Sequence, residues 1–519
     1  MAGIEAKLPD NQAKKKSEIA LELVSTNCIE LFADQYQKPY AVIEVNAHVE
    51  TISINSIGFK HWIARMYYGE KQATLSSEDI SAVLNILKGK AVYDGTRRHI
   101  EIRAAEEDST IYYDLTNTKW ECVKVTRDGW TVEQAPVLFA RHSNNAPQAE
   151  PVTEYPPDII DRFLSLTNIT NDGHKLLLKC YLVSLFIPNI AKPILITAGE
   201  QGSGKSLLER SVKGIVDPSA AEKLSFPKSP AELTQQLSHN YVALFDNVSR
   251  LDDWQSDELC KAVDGSGSSK RMLYSDDDDI IYNFRRCILL NGINIVARKP
   301  DLLDRAIIIQ LERIARERRR KESLLMAELD AIRPALLGYI FDILVKVLER
   351  KGEVQLTEYP RMADFAEYGE LIARCMGYNE NEFTRAYFEN IKLQSVEVLE
   401  ANPVATAVMK LMEPDDLRTI TATPRELLEM LESVAAGLKI STNGRTWPKA
   451  PNSLSRRLNE VKTNLREIGI LVEIATDSKT NTRVVRIEKT SPEPPVSPEG
   501  QNRAQTTLPM TGDTSGDMT

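Results

Sequence analysis

The sequence predicts an α/β chain: a largely parallel sheet between helices, preceded by an α+β region and followed by a helix–helix–hairpin unit. Three observations carry this. Four apolar runs, "PILITAG", "YVALFDN", "RCILLNG" and "RAIIIQL", alternate with helical stretches between residues 158 and 315, and strands separated by helices pair in parallel. Residues 21–140 mix strand-like alternation with helical spacing. Residues 417–490 read as two helices followed by the strands "LVEIA" and "RVVRIE".

Residues 1–20 are expected to form a flexible arm. In the N-terminal α+β domain, 21–140, "KPYAVIEV" and "HVETISI" alternate like strands, and "SIGFKHWIARMYYGE" and "SEDISAVLNILKGK" have helical spacing. "STIYYDLTNTKWECVKVTRDGWTVE" reads as short antiparallel strands turning at Asn117-Thr118 and Asp128-Gly129. The Pro-rich stretch 141–157 reads as a linker. Helices are expected at about 158–166 and 174–187, ahead of the parallel sheet. Residues 316–416 read as a helical region, with the run "RERRRKE" as its solvated opening. In 417–490, Thr423 and Glu426 form a capping box with Pro424 at the first helical position. Leu454, Leu458, Val461, Leu465 and Ile468 share one helical face. The tail 491–519, rich in Pro, Ser, Thr and Gly, is expected to be disordered.

Composition excludes several classes. Hydrophobic residues make up 42% and charged residues 27%, an ordinary globular mix, and the net charge of −10 argues against nucleic-acid binding by the whole surface. The six cysteines contain no CxxC pair, which disfavours a zinc site or a disulfide framework. The most apolar helical run, "KLLLKCYLVSLFI", is too short to span a bilayer. The N-terminus lacks a signal-peptide core. A cytoplasmic protein without membrane association is expected.

The strongest motif is "GEQGSGKS", between the first apolar strand and a helix. It fits the phosphate-binding loop pattern in the setting that pattern requires. Gly199, Glu200, Gln201, Gly202, Ser203, Gly204, Lys205, Ser206 and Leu207 are the expected nucleotide-binding stretch. Glycines let backbone N–H groups curl around phosphates, Lys205 reaches the β- and γ-phosphates, and Ser206 ligates Mg²⁺. Asp246, at the end of the second strand, is expected to hold the Mg²⁺ shell. Asn247 follows it, where a hydrolytic ATPase often carries a second carboxylate. Asn247 can orient a water but cannot take its proton, and Asp252 or Asp253 are alternatives. Asn291, ending the third strand, is placed to orient water. Arg305, before the fourth strand, is placed to reach a neighbour's γ-phosphate, with Arg298 a second candidate.

The ordered set "GEQGSGKS", "YVALFDNVSR", "SSKRMLYSDDDD", "RRCILLNGIN", "RKPDLLDRA" and "YPRMADFAEYG" resembles the AAA+ ATPases. Within them it is similar to superfamily-3 helicases and to the poxviral primase-helicase-type ATPases of phages, plasmids and integrated elements. The resemblance implies an AAA+ P-loop core over 158–315 with a preceding helical subdomain, a helical lid over 316–416 and a winged helix over 417–490. It implies ATP and Mg²⁺ as cofactors, DNA as partner and a hexameric homo-oligomeric ring. A separate primase or initiator protein is a further expected partner. By this resemblance Arg361 is a lid arginine, while Phe365 reads as core. A DNA-dependent ATPase of the replicative-helicase kind is one reading, and an AAA+ initiator or loader switch that does not unwind processively is the other. A P-loop kinase needs neither the arginine, the hairpin insert nor the winged helix.

Candidate DNA contacts lie in two places. A hairpin before the third strand carries Lys270 and Arg271 at its base, with Arg285 and Arg286 on the return. Its tip, Asp276 to Asp279, would repel DNA. Residues 417–489 hold thirteen Lys/Arg against eight Asp/Glu, a local +5. Arg456, Arg457, Lys462 and Arg466 stand off the apolar stripe of the presumed recognition helix, with Trp447 and Arg483 on its flanks. Trp62, Tyr112, Tyr113, Trp120 and Trp130 could stack on bases but read better as core. Glu44, His48 and Glu50 lack the Asp-x-Asp pair a primase would need.

Overall fold

A computed structural model describes residues 14–248, 251–266, 268–271, 279–283, 285–292, 299–414, 418–444, 447–476 and 482–490. The chain divides into two units, Met1–Val398 and Leu399–Thr519.

The first unit opens with α1 (Lys16–Asn27), β1 (Cys28–Ala33), β2 (Pro39–Val45), β3 (His48–Ser53), α2 (Ile57–Lys71), α3 (Ser77–Gly89) and β4 (Thr96–Arg97). Helix α1 thus begins inside the stretch expected to be an arm. Ser56 and Ser76 cap α2 and α3, each accepting the backbone N–H three residues on. The sheet runs β3-β2-β1-β4, and Ala20, Val24, Phe59, Ile63 and Leu87 form a core of their own with it.

A second sheet is the antiparallel meander β5 (Ala104–Glu107), β6 (Thr110–Asp114), β7 (Glu121–Thr126) and β8 (Gly129–Gln134). Its inner side chains join the large core that follows. Tyr113 packs 4.9 Å from Phe186 and 5.7 Å from Phe341, and Trp130 Nε1 donates to Asp342 at 2.8 Å. Tyr112 and Tyr113 are buried, and Trp62 and Trp130 are half-buried against the cores, as the core reading expects, whereas Trp120 is half-buried under the Arg141 guanidinium at 3.9 Å. The stretch 141–157 is pinned rather than loose: Gln148 Nε2 donates to the Tyr113 hydroxyl and to Ile215 O.

Next come α4 (Ile159–Ser165), α5 (Asp172–Ser184), β9 (Ile194–Ala198), α6 (Lys205–Val216), α7 (Pro230–His239), β10 (Val242–Phe245), α8 (Asp253–Asp264), β11 (Ser268–Arg271), β12 (Asp279–Tyr282), β13 (Cys287–Asn291), α9 (Pro300–Leu303) and β14 (Ala306–Gln310). The order is β10-β13-β9-β14 and every pairing is parallel, as the alternation predicts. Strands covered on both faces must be apolar throughout, and β9, β10 and β13 are fully buried. Three helices follow: α10 (Glu322–Glu349), α11 (Ala363–Cys375) and α12 (Glu382–Ala401), of which α12 ends in the second unit from Leu399 on.

The second unit contains α13 (Pro403–Leu411), β15 (Thr419–Ala422), α14 (Pro424–Gly437), α15 (Pro451–Glu467), β16 (Ile470–Thr476) and β17 (Arg483–Lys489). The Thr423–Glu426 capping box is formed. The antiparallel sheet has order β15-β17-β16. Leu454, Leu458, Val461 and Leu465 are buried against it, and α13 contributes Val404 and Val408 to the same core. Residues 491–519 lie outside the described residues.

Candidate functional site

Strand β9 is flanked by β13 on one side and β14 on the other. In open parallel sheets, such a divergence leaves a crevice beyond the carboxyl ends of the strands, where ligands bind. The loop leaving β9 fills this place. Gly199 has φ +150°, and a Cβ there would lie 2.3 Å from Leu311 O. Gly202 has φ +83°. Both positions require glycine. Gly204 precedes α6 without a side-chain cap, so the helix N-terminus faces the loop with its dipole. Ser203 Oγ is buried and has no hydrogen-bond partner among the described residues. A glycine cradle, an unsatisfied hydroxyl and a helix start fit an anionic group.

Lys205 Nζ folds back on the loop, donating to Gly199 O at 2.6 Å and Glu200 O at 2.9 Å. Burial pushes its pKa down. Ser206 Oγ donates to Asp246 Oδ1 at 3.0 Å, so the two expected metal ligands are adjacent. They are hard oxygen donors of the kind magnesium prefers. Among the described residues there is no group of three or more His, Cys, Asp or Glu able to hold a metal. A cation here would therefore need oxygens from water and from the bound ligand.

Asp246 is more crowded than the sequence suggests. Asn291 Nδ2 donates to its Oδ1 at 2.6 Å, and the Lys223 ammonium sits on its Oδ2. Lys223 arrives because the chain at Leu224 runs parallel to the edge of β10, with Leu224 N donating to Leu244 O. Burial opposes ionisation of Asp246, but hydrogen bonds from Lys223, Asn291 and Ser206 outweigh it and hold the carboxyl below its usual pKa. No sequence motif marks Lys223.

Asn247 has φ +58°, a left-handed conformation that asparagine tolerates far better than glutamate. This geometry gives a physical reason for an amide where a second carboxylate is often found. Its side chain is exposed, and its N–H donates to Asn291 Oδ1 at 2.9 Å. Asp252 caps α8 and Asp253 faces Lys299 at 3.7 Å. Neither is hydrogen-bonded to Asp246, Asn247 or Asn291 among the described residues.

Glu209 is a further site residue, one turn beyond Lys205 on α6 and fully buried. It accepts from Thr197 Oγ1 at 2.6 Å and from Asn291 Nδ2 at 2.7 Å. Burial raises its pKa to about 8 against the opposing hydrogen bonds of Thr197 and Asn291. The one sequence signal for it is a charged residue on the buried side of an otherwise amphipathic helix.

Arg305 is 4% exposed and closed into its own chain. It donates to both Asp264 oxygens, at 2.8 to 3.1 Å, and to Asp301 Oδ1 at 2.5 Å. Arg361 is exposed, 3.8 Å from Asp264, beside Arg305. Phe365 is core. Arg298 lies outside the described residues.

The expected hairpin exists: Lys270 pairs with Ile280 and Arg271 with Asp279 across β11 and β12. Asp279 stands in β12 rather than at the tip, and residues 272–278, which include the rest of the expected tip, lie outside the described residues. Arg286 is buried and donates to Leu237 O, while Arg285 is exposed and donates to Asn189 O. In the second unit Arg456, Lys462 and Arg466 are exposed on α15, and Arg457 faces Glu460 at 2.9 Å. Trp447 is 2% exposed and belongs to the core, not to a flank. His48 bonds Glu50 at 2.9 Å. Among the described residues no helix is long and apolar enough to cross a membrane.

Two family models match the sequence. Residues 160–392 match an actinomycete integrative conjugative element replication protein, and residues 404–504 match the AICE RepA C-terminal domain. No curated protein matches. Among solved structures, an A-form apo structure of the NrS-1 C-terminal region aligns at 13% identity with TM-score 0.38, covering 92% of this chain and 100% of that one. A second apo structure of that region aligns at 12% identity and TM-score 0.37, with the same coverages.

Proposed function

We propose that this chain, a replication protein by its family matches over residues 160–392 and 404–504, is an ATP-dependent DNA-translocating or DNA-remodelling ATPase. In this reading it works as a ring-shaped oligomer of the AAA+ replicative-helicase kind. The supporting observation is the meeting, at the carboxyl ends of β9, β10 and β13, of the glycine loop, Lys205, the Ser206–Asp246 pair and Asn291.

The residues divide the work. Lys205 exchanges the loop carbonyls for phosphate oxygens. Ser206 and Asp246 hold the magnesium ion, which neutralises phosphate charge. Asn291 fixes Asp246 and the peptide of Asn247, leaving the Asn247 amide to orient water. Phosphoryl transfer depends mainly on positioning and charge stabilisation, so a site without a strong base is consistent with turnover. Arg305 acts on a neighbour only if it leaves Asp264 and Asp301. The second unit is read as a winged helix whose Arg456, Arg457 and Lys462 meet DNA phosphates, with Lys270 and Arg271 contributing from the hairpin.

The second reading is an initiator or loader switch. It is favoured by the closed state of Arg305. A strand-displacement assay on a forked duplex, with ATP and magnesium, decides between them. Displacement that requires hydrolysis supports the helicase. Hydrolysis with no displacement on any fork supports the switch.

A further inference from the structure

The basic run that opens the helical region is exposed throughout, as its composition predicts, and one of its arginines lies against the glycine loop. After β14 the chain turns back over the glycine loop. Leu311 N donates to Ala198 O at 2.9 Å, and Ile314 N donates to Gly202 O at 3.3 Å. Ile314 Cδ1 lies 3.6 Å from where a Cβ on Gly204 would stand. A single 3-10 turn, Arg316–Arg318, then reverses the chain. Arg319 Nε donates to Ile314 O at 3.3 Å, which brings its terminal NH2 to 3.1 Å from the Cβ position of Gly202. A side chain at Gly202 would make this guanidinium give way by a few tenths of an ångström.

The charges around it are unequal. Arg313 faces Glu200 at 3.8 Å, and Arg320 pairs with Glu328. Arg319 makes no ion pair among the described residues. A guanidinium against a phosphate-type loop, with no ion pair among the described residues, suits a bidentate contact to phosphate oxygens.

We propose that Arg319 binds the polyphosphate of a nucleoside di- or triphosphate held by the glycine loop of its own chain. This rests on the nucleotide reading above and adds a residue that motif matching does not assign. The test is equilibrium binding of fluorescent ATP, ADP and adenosine analogues to the full-length chain with magnesium. The variants are Arg319→Ala, Arg319→Lys and, as an exposed neighbour, Arg318→Ala. Arg319→Ala is expected to weaken the di- and triphosphate about tenfold or more, roughly one bidentate charge-assisted contact. Adenosine affinity should not change, Arg319→Lys should fall between, and Arg318→Ala should match the wild type. Wild-type binding that Arg319→Ala leaves within twofold overturns this assignment alone, as does an equal loss for adenosine. A wild type that binds no nucleotide overturns the underlying reading as well.

Discussion

Asn291 Nδ2 lies 2.6 Å from Asp246 Oδ1 and 2.7 Å from Glu209 Oε2, while its Oδ1 accepts the N–H of Asn247. One buried amide thus fixes the strand-end carboxylate and the peptide that follows it. The sequence reading has Asn291 orienting water; the geometry commits both ends of its amide to the protein. Residues that orient a ligand to a metal usually matter 10- to 100-fold. Asn291→Ala should lower DNA-stimulated turnover by roughly that factor with little change in nucleotide affinity. Steady-state kinetics alongside equilibrium binding checks this.

Glu209 predicts a pH dependence. Its carboxyl is neutral-favouring in the fold, raised to about 8 from 4.5. The folded state therefore holds a proton that the unfolded chain releases. This stabilisation is complete below about pH 4.5 and is lost as pH rises through about 8. Glu209→Gln keeps the shape and removes the titration. The variant should gain stability relative to the wild type between pH 6 and pH 9, on the order of 1–3 kcal/mol. Urea unfolding at both pH values reads it, and a difference independent of pH contradicts it.

Arg305 holds the end of α8 to the turn before β14 through Asp264 and Asp301. Removing it leaves Asp264, about a third exposed, with only Arg361 at 3.8 Å, and Asp301, about two-thirds exposed, without its guanidinium. Arg305→Ala should destabilise the fold by about 2 kcal/mol, measured by denaturation at concentrations where the chain is monomeric. An arginine serving only a neighbouring subunit would leave that stability unchanged.

Arg103 and Asp217 form a buried pair at 3.0 Å that joins the meander to the end of α6. Asp217 also accepts the N–H groups of Tyr241 and Val242, where β10 begins. Arg103→Ala leaves that carboxylate short of a partner, with Lys213 remaining at 3.6 Å. A loss of about 3–5 kcal/mol is expected, with thermal unfolding as the readout.

The parallel sheet and its loop were legible because covered strands are apolar and the loop's glycines are obligatory. The capping box at Thr423 and the apolar stripe of α15 were legible for the same local reasons. What escaped was tertiary. Lys223 reaches Asp246 only because an unremarkable segment lies along β10. Glu209 is buried by the packing of α6, and local pattern shows no more than an out-of-place charge. Trp447 looks like a surface aromatic but is buried in the core of the second unit. The arginine run before α10 has the composition of a solvated helix start, and its return to Gly202 depends on hydrogen bonds from Leu311 and Ile314. The 141–157 stretch has linker composition, yet Gln148 is buried by its bonds to Tyr113 and Ile215.

The most direct test is phosphate release from ATP by the full-length protein, with and without single-stranded and forked DNA, beside Lys205→Ala. Turnover that DNA stimulates is expected, with its reduction to background when Lys205 is lost. Wild-type protein that hydrolyses no nucleotide with any DNA, or hydrolysis unaffected by Lys205→Ala, would contradict it.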